Sequence, residues 1–142
     1  MVLNEVIDER TMREIYFPAF EIAVKEAQPW TVMNSYNNIG TQWAAACPEL
    51  NNDVLRGEWG HKGMVLTDYF GNYGYMDADR AVRGGTDMML ATAGNDAIMT
   101  DTTSATSIKA MRQACKNIMY TMVNSYTCLL YTSDAADDLI GV

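Results

Sequence analysis

The 142-residue chain holds one histidine, three cysteines and no long apolar run. Each scarcity closes off a class of function. His61 alone cannot assemble a zinc site. Cys47, Cys115 and Cys128 show no C-x-x-C spacing, so they read as small buried hydrophobes rather than a redox or metal motif. No apolar stretch is long enough to cross a bilayer. The opening residues Met1-Val-Leu-Asn-Glu-Val show neither a basic n-region nor an apolar h-region, so no signal peptide is visible there. Positive charge is also scarce. Ten Lys and Arg stand against eighteen Asp and Glu, a net charge of −8, which excludes nucleic-acid or anionic-membrane binding driven by charge. Acidic charge and sparse cysteine fit either a cytoplasmic or a secreted protein.

What is present is a folding composition. Hydrophobic residues make up 49% and charged residues 20%, enough for a core. Asp8 predicts the cap of a helix over roughly 9–26, with Met12, Ile15, Tyr16, Ala19 and Ala23 as its apolar face and a kink at Pro18. Residues 31–34 read as a short strand and 34–40 as a polar loop. Pro48 opens a second helix that turns Leu50, Val54 and Leu55 inward and ends at Gly60. Residues 64–67 form the next strand. A Gly- and Tyr-rich loop over 71–75, a short helix over 76–83, a Gly84-Gly85 turn and a strand over 86–90 follow. The last helix, over about 107–125, carries Ile108, Met111, Cys115, Ile118 and Met122 as a core-facing stripe.

This alternation predicts an α/β fold, a parallel sheet with helices outside it. The strands are apolar in runs, as strands buried on both faces should be. Three such strands do not close a barrel, and the chain is well short of the roughly 250 residues of a full (β/α)₈ barrel. They form part of one or a small open sheet. Asp68 ends the second strand, and in a barrel that carboxyl end faces the active site. Taken alone, such a carboxylate serves equally as nucleophile, base, metal ligand or cap. Among the other acids, Glu58 reads as structural, Asp77 and Asp79 as caps of the short helix, and Asp87 as structural at the start of its strand. His61 reads as a surface turn residue, and Gly71-x-x-Gly74 is too loose for a phosphate cradle.

In order along the chain, Glu9-Arg-Thr-Met-Arg-Glu-Ile-Tyr16, Val32-Met-Asn-Ser-Tyr-Asn37, Leu55-Arg-Gly-Glu-Trp-Gly60 and Met64-Val-Leu-Thr-Asp-Tyr69 resemble glycoside hydrolase family 3. Ala81–Leu90 resembles the family's next strand, and Met111–Tyr120 its last barrel helix. The resemblance covers about residues 5–127 and implies roughly the last three βα units of a (β/α)₈ barrel. It implies a retaining exo-glycosidase acting on β-glucosides or β-xylosides, with Asp68 as nucleophile and no metal or cofactor. Met33 and Tyr36 match positions lining the glycone subsite. Tyr69 stands where the family commonly has Trp. A retaining enzyme needs a second carboxyl about 5–5.5 Å away. The resemblance places that acid/base outside this stretch, together with the earlier barrel strands. The chain alone is therefore expected to be inactive, and its open strand edges to make it aggregation-prone.

Residues Cys128–Asp137 resemble a translated sequencing adapter, with 138–142 continuing it. Residues 1–127 are then read as the barrel segment and 128–142 as a disordered tail. The competing reading is a non-catalytic carbohydrate-binding module or decayed barrel remnant. An aldolase-like barrel would need a strand-end lysine, whereas Lys25, Lys62, Lys109 and Lys116 all fall on predicted helices or turns.

Overall fold

A computed structural model describes residues 3–70, 73–91 and 97–126. Gly71 and the 128–142 tail with Cys128 lie outside the described residues. The alternating pattern is realised as a three-stranded parallel sheet, with a second small sheet at one side. Strands β2 (Thr31–Met33), β5 (Met64–Tyr69) and β6 (Met88–Leu90) run parallel in the order β2-β5-β6. Register pairs Met33 with Leu66 and Leu66 with Met88. The second sheet joins β1 (Asn4–Glu5), β3 (Asn38–Ile39) and β4 (Gln42–Trp43), with β3 and β4 antiparallel. The 34–40 stretch is thus not all loop, as its turn residues suggest. Its last residues enter a hairpin whose partner strand is supplied by Asn4 and Glu5.

Helix α1 follows the Asp8 cap, which accepts from the Thr11 N–H at 2.9 Å. It alternates α-helical Glu9–Thr11 and Phe17–Ile22 with π-helical Met12–Tyr16 and Ala23–Ala27. Pro18 falls in the interior of α1, directly after the π-helical Met12–Tyr16 and at the start of the α-helical Phe17–Ile22. The π turns also rotate the helix relative to a 3.6-residue period. The expected face is overturned as a result. Ile15 and Tyr16 are 69% and 58% exposed, whereas Val24 is buried and Phe17 packs on the core.

Helix α2 (Glu49–Glu58) is π-helical, with Trp59 N–H donating to the Val54 carbonyl at 3.0 Å. Its wider turn carries the inward face through Asn51, Leu55 and Trp59, and Leu50 is only half-buried. Gly60 then reverses the chain at φ +76°, the left-handed conformation that glycine adopts without strain. Val24, Val54, Leu55, Trp59 and Val65 form one core cluster, which seats α1 and α2 on the sheet.

Helix α3 (Ala78–Arg83) is capped by Asp77, whose carboxylate accepts from Arg80 N–H at 2.9 Å. Asp79 accepts from the Thr100 and Asp101 N–H groups. Glu58 binds Arg13 through both oxygens, at 2.7 and 2.8 Å. Glu58 and Asp77 act as the sequence reads, whereas Asp79 does not cap α3 but ties the Thr100–Asp101 segment to it. The Gly84-Gly85 turn is fixed by close approach, because a Cβ on Gly84 would sit 2.6 Å from the Ala46 carbonyl carbon.

Helix α4 (Ala105–Val123) realises its expected stripe only in part, with Ile108, Met111 and Ile118 half-buried. Cys115 is exposed and Met122 is 62% exposed, while Ser107, Ala114 and Asn117 are buried. Hydrogen bonds override the apolar period here. Thr121 Oγ1 accepts from Met64 N–H at 2.8 Å, and Asn117 Nδ2 donates to Asp87 at 2.8 Å.

Asp87 is the junction. Its side chain is 2% exposed, 2.6 Å from Arg56 of α2, and accepts from the Val65 N–H of β5 at 2.7 Å. Burial raises its carboxyl, against the pull of Arg56, Val65 and Asn117. Its structural role agrees with the sequence reading. Asp87→Ala strands the Arg56 charge in the interior and is expected to cost about 3–5 kcal/mol, read by urea unfolding. Asp101 offers a pH test. Donors from Ser104, first its hydroxyl and then its N–H, and from the Ser107 hydroxyl hold its carboxyl well below the usual range. A lowered acid stabilises the fold above its unfolded value of about 4 and loses that contribution as pH falls below it. Acid unfolding followed by circular dichroism should show this loss, and Asp101→Asn should remove it.

Candidate active site

The carboxyl ends of the three parallel strands converge on Met33, Asp68–Tyr69 and Leu90. Alternation along β5 sends Val65 and Thr67 to the helix-covered face, where both are fully buried. Met64, Leu66 and Asp68 take the other face and are half-buried. The apolar runs suggest burial on both faces. The second face instead stays open, with Met33 57% and Met88 39% exposed. The outer edges of β2 and β6 have no strand partner among the described residues.

Asn34 sets the turn that follows β2. Its N–H donates to the Leu66 carbonyl at 2.8 Å, and its Nδ2 to Thr86 Oγ1 at 2.9 Å. Thr86 Oγ1 in turn donates to the Ala45 carbonyl at 2.7 Å. Asn34 and Thr86 are both buried. This chain of bonds ties the turn to two neighbouring segments and brings Tyr36 against Asp68. Burial raises the Tyr36 hydroxyl first. The Asp68 charge adds to this, then Tyr73, then a hydrogen bond to Asp68. A phenol beside a carboxylate resists becoming a second anion.

The Asp68 carboxylate also accepts from the Tyr69 N–H at 2.6 Å. The Tyr69 ring is 42% exposed at the same strand end. Met33, Tyr36, Asp68 and Tyr69 therefore share one end of the sheet.

The sequence reading missed the aromatic row beside them. Tyr73 meets Tyr36 edge-on at 6.0 Å and stacks on Tyr75 at 6.4 Å, and Tyr75 meets the buried Trp43 at 6.0 Å. The Tyr75 hydroxyl is raised by burial, then by Tyr73 and Asp68. The signal lay in the spacing of Tyr69, Tyr73 and Tyr75, which sets three aromatic rings just beyond a strand's carboxyl end. A 320 Å³ cleft lined by Phe70, Gly74, Met76, Asp77, Ile98 and Thr100 opens beside this loop. At the opposite end of the strands, a 170 Å³ crevice is lined in part by Trp30, Trp59 and His61. His61 is 6% exposed there and its burial lowers its pKa. It is therefore not the surface residue that its turn position suggests, because the ring fills space beside the Met64 carbonyl. Among the described residues, no three His, Cys, Asp or Glu side chains cluster to hold a metal ion.

Fold and site together define an α/β domain with a carboxylate and a phenol at the carboxyl end of a parallel sheet. Residues 3–125 match the family model "Glycosyl hydrolase family 3 N terminal domain". The chain belongs to glycosyl hydrolase family 3. It is 41% identical over 81 residues to probable beta-glucosidase J of Neosartorya fischeri, covering 57% of this chain and 9% of that one. It is 56% identical over 63 residues to an exo-alpha-(1->6)-L-arabinopyranosidase of Bifidobacterium breve, covering 44% of this chain and 8% of that one. Beta-glucosidase 3B from Thermotoga neapolitana, solved with glucose, superposes with a TM-score of 0.73 at 27% identity, covering 92% of this chain and 19% of that one. The chain thus spans about a tenth of the length of these curated relatives.

Asp68→Asn is expected to lower the titration midpoint of Tyr36 toward the ordinary tyrosine value of about 10. The measurement is ¹³C NMR of ring-labelled tyrosine, with Tyr36→Phe assigning the resonance.

Proposed function

We propose that this chain is the nucleophile-bearing part of a retaining glycosidase acting on β-glucosides. The observation that carries the reading is the place of Asp68 at the carboxyl end of the central parallel strand, on its open face, with the Tyr36 phenol near enough to feel its charge. A carboxylate at a strand's carboxyl end, oriented by a phenol and by the Tyr69 N–H, has the form of a glycosidase nucleophile. In the first step an Asp68 oxygen bonds to the anomeric carbon as the bond to the leaving oxygen breaks. A second carboxyl protonates that oxygen. In the second step the same group takes a proton from water, water attacks the anomeric carbon, and Asp68 is released. Met33, Tyr36 and Tyr69 line the glycone. The flat ring of Tyr69 offers an apolar surface to the sugar while the Tyr36 hydroxyl supplies a fixed polar contact.

The acid/base lies outside this chain. The face of β2-β5-β6 left uncovered by the described residues, and the outer edges of β2 and β6 that have no strand partner among them, support placing the segment in a larger parallel barrel whose other strands belong to the parent protein. On this reading residues 128–142 form an adapter-derived tail, and residues 3–125, which match the family model, carry the fold. The stretch shared with the Bifidobacterium breve arabinopyranosidase supports a second glycone, an α-L-arabinopyranoside, for the same two-step chemistry.

The test is steady-state hydrolysis of aryl β-glucosides and aryl α-L-arabinopyranosides by the full-length parent protein. Asp68→Asn should lower kcat by about 10⁴-fold or more. The isolated chain should show no turnover of either substrate. Turnover unaffected by Asp68→Asn would reject the nucleophile, and turnover by the isolated chain would reject the missing acid/base.

A further inference from the structure

The loop that follows β5 reaches back across the site it follows. Tyr75 Oη donates to the Tyr36 carbonyl at 3.1 Å, joining residues 39 positions apart. The Tyr75 ring meets Trp43 edge-on, at an interplanar angle of 87°, and stacks on Tyr73 at 19°. Tyr73 in turn meets the Tyr36 ring edge-on at 88°. Trp43 is 2% exposed and also packs on Phe70. The aromatic row is therefore rooted in the core at one end and finishes at Tyr36 at the other. Upstream, Asn34 is anchored by its two bonds to Leu66 and Thr86. The turn that presents Tyr36 is gripped before the residue by the sheet and at the residue by Tyr75.

We propose, resting on the reading of Asp68 as nucleophile, that Tyr75 is a positioning residue whose hydroxyl, bonded to the Tyr36 carbonyl, holds the Tyr36 phenol against the Asp68 carboxylate. Two roles for Tyr75 are separable. The ring packs on Trp43 and Tyr73, and Phe would do that equally well. The hydroxyl acts on Tyr36, and only Tyr supplies it. Tyr75 touches no reacting atom, so its effect on turnover travels through Tyr36. A role carried by one other residue vanishes when that residue's function is removed, which makes it measurable as a coupling.

The experiment is a double-mutant cycle in the full-length protein, with kcat and KM measured on an aryl β-glucoside for Tyr75→Phe, Tyr36→Phe and the pair. Tyr75→Phe is expected to lower kcat roughly fivefold, the worth of one net neutral hydrogen bond. It should cause no further fall in the Tyr36→Phe background. Wild-type kcat in Tyr75→Phe, or losses that multiply in the double variant, would overturn the positioning role. Asp68→Asn measured alongside separates the two ideas. If it leaves turnover intact, the reading of Asp68 as nucleophile fails. If it abolishes turnover while Tyr75→Phe matches the wild type, only the positioning role fails.

Discussion

The Asp87 carboxylate is the point on which the packing of this chain turns. One buried side chain meets Arg56 of α2, the Val65 N–H of β5 and Asn117 of α4. A buried carboxylate is costly to desolvate, and only a full set of partners offsets that cost. Those partners must be delivered from three separate elements. The requirement fixes how α2 and α4 sit on the sheet more tightly than apolar contact alone, which is non-directional. It also explains why α4 presents Asn117 inward, while Ser107 turns in to Arg83 and Asp101 and Thr121 to Met64 and Trp30. A polar seam forms where the sheet holds a buried charge and where Thr121 shares the Met64 N–H with the Trp30 carbonyl.

The candidate site inherits its order from the same sheet. β5 is central and paired on both sides, so Asp68 sits at the end of the best-supported strand. Tyr36 reaches it through a turn whose anchor, Asn34, is bonded to β5 and to Thr86 just before β6. The site therefore depends on register across all three strands. A one-residue slip of β2 would send Met33 to the opposite face and pull Tyr36 away. The open face that carries Asp68 is also the apolar face left uncovered by the described residues. Chemistry and incomplete burial meet on one surface, where a glycosidase would close both the substrate pocket and the fold.

Much of this was legible in the residues. The strand–helix alternation, the Asp8 and Asp77 caps, the Gly60 reversal and the Gly84-Gly85 turn are local, and each rests on a few neighbouring dihedrals. The grouping of Met33, Tyr36, Asp68 and Tyr69 at one end of the sheet follows from strand order and direction. Helix faces were less legible. The α1 face failed because π turns shift the helical period, and the α4 face because hydrogen bonds to distant groups outweighed an apolar stripe. His61 and Cys115 reversed their expected exposures for a similar reason, since burial depends on what the rest of the chain places beside a residue.

By itself, the sequence determined the α/β class, the place of Asp68 at a strand's carboxyl end and the family to which the chain belongs. These depend on short-range patterning and on ordered motifs, which survive without knowledge of the fold. The tertiary structure alone decided which acid is buried and paired, that Asp87 joins three elements, and that Tyr75 binds the main chain at Tyr36. Those contacts join residues tens of positions apart. No periodicity encodes such pairings, because they arise only when β2, β5 and β6 bring distant segments within hydrogen-bonding distance.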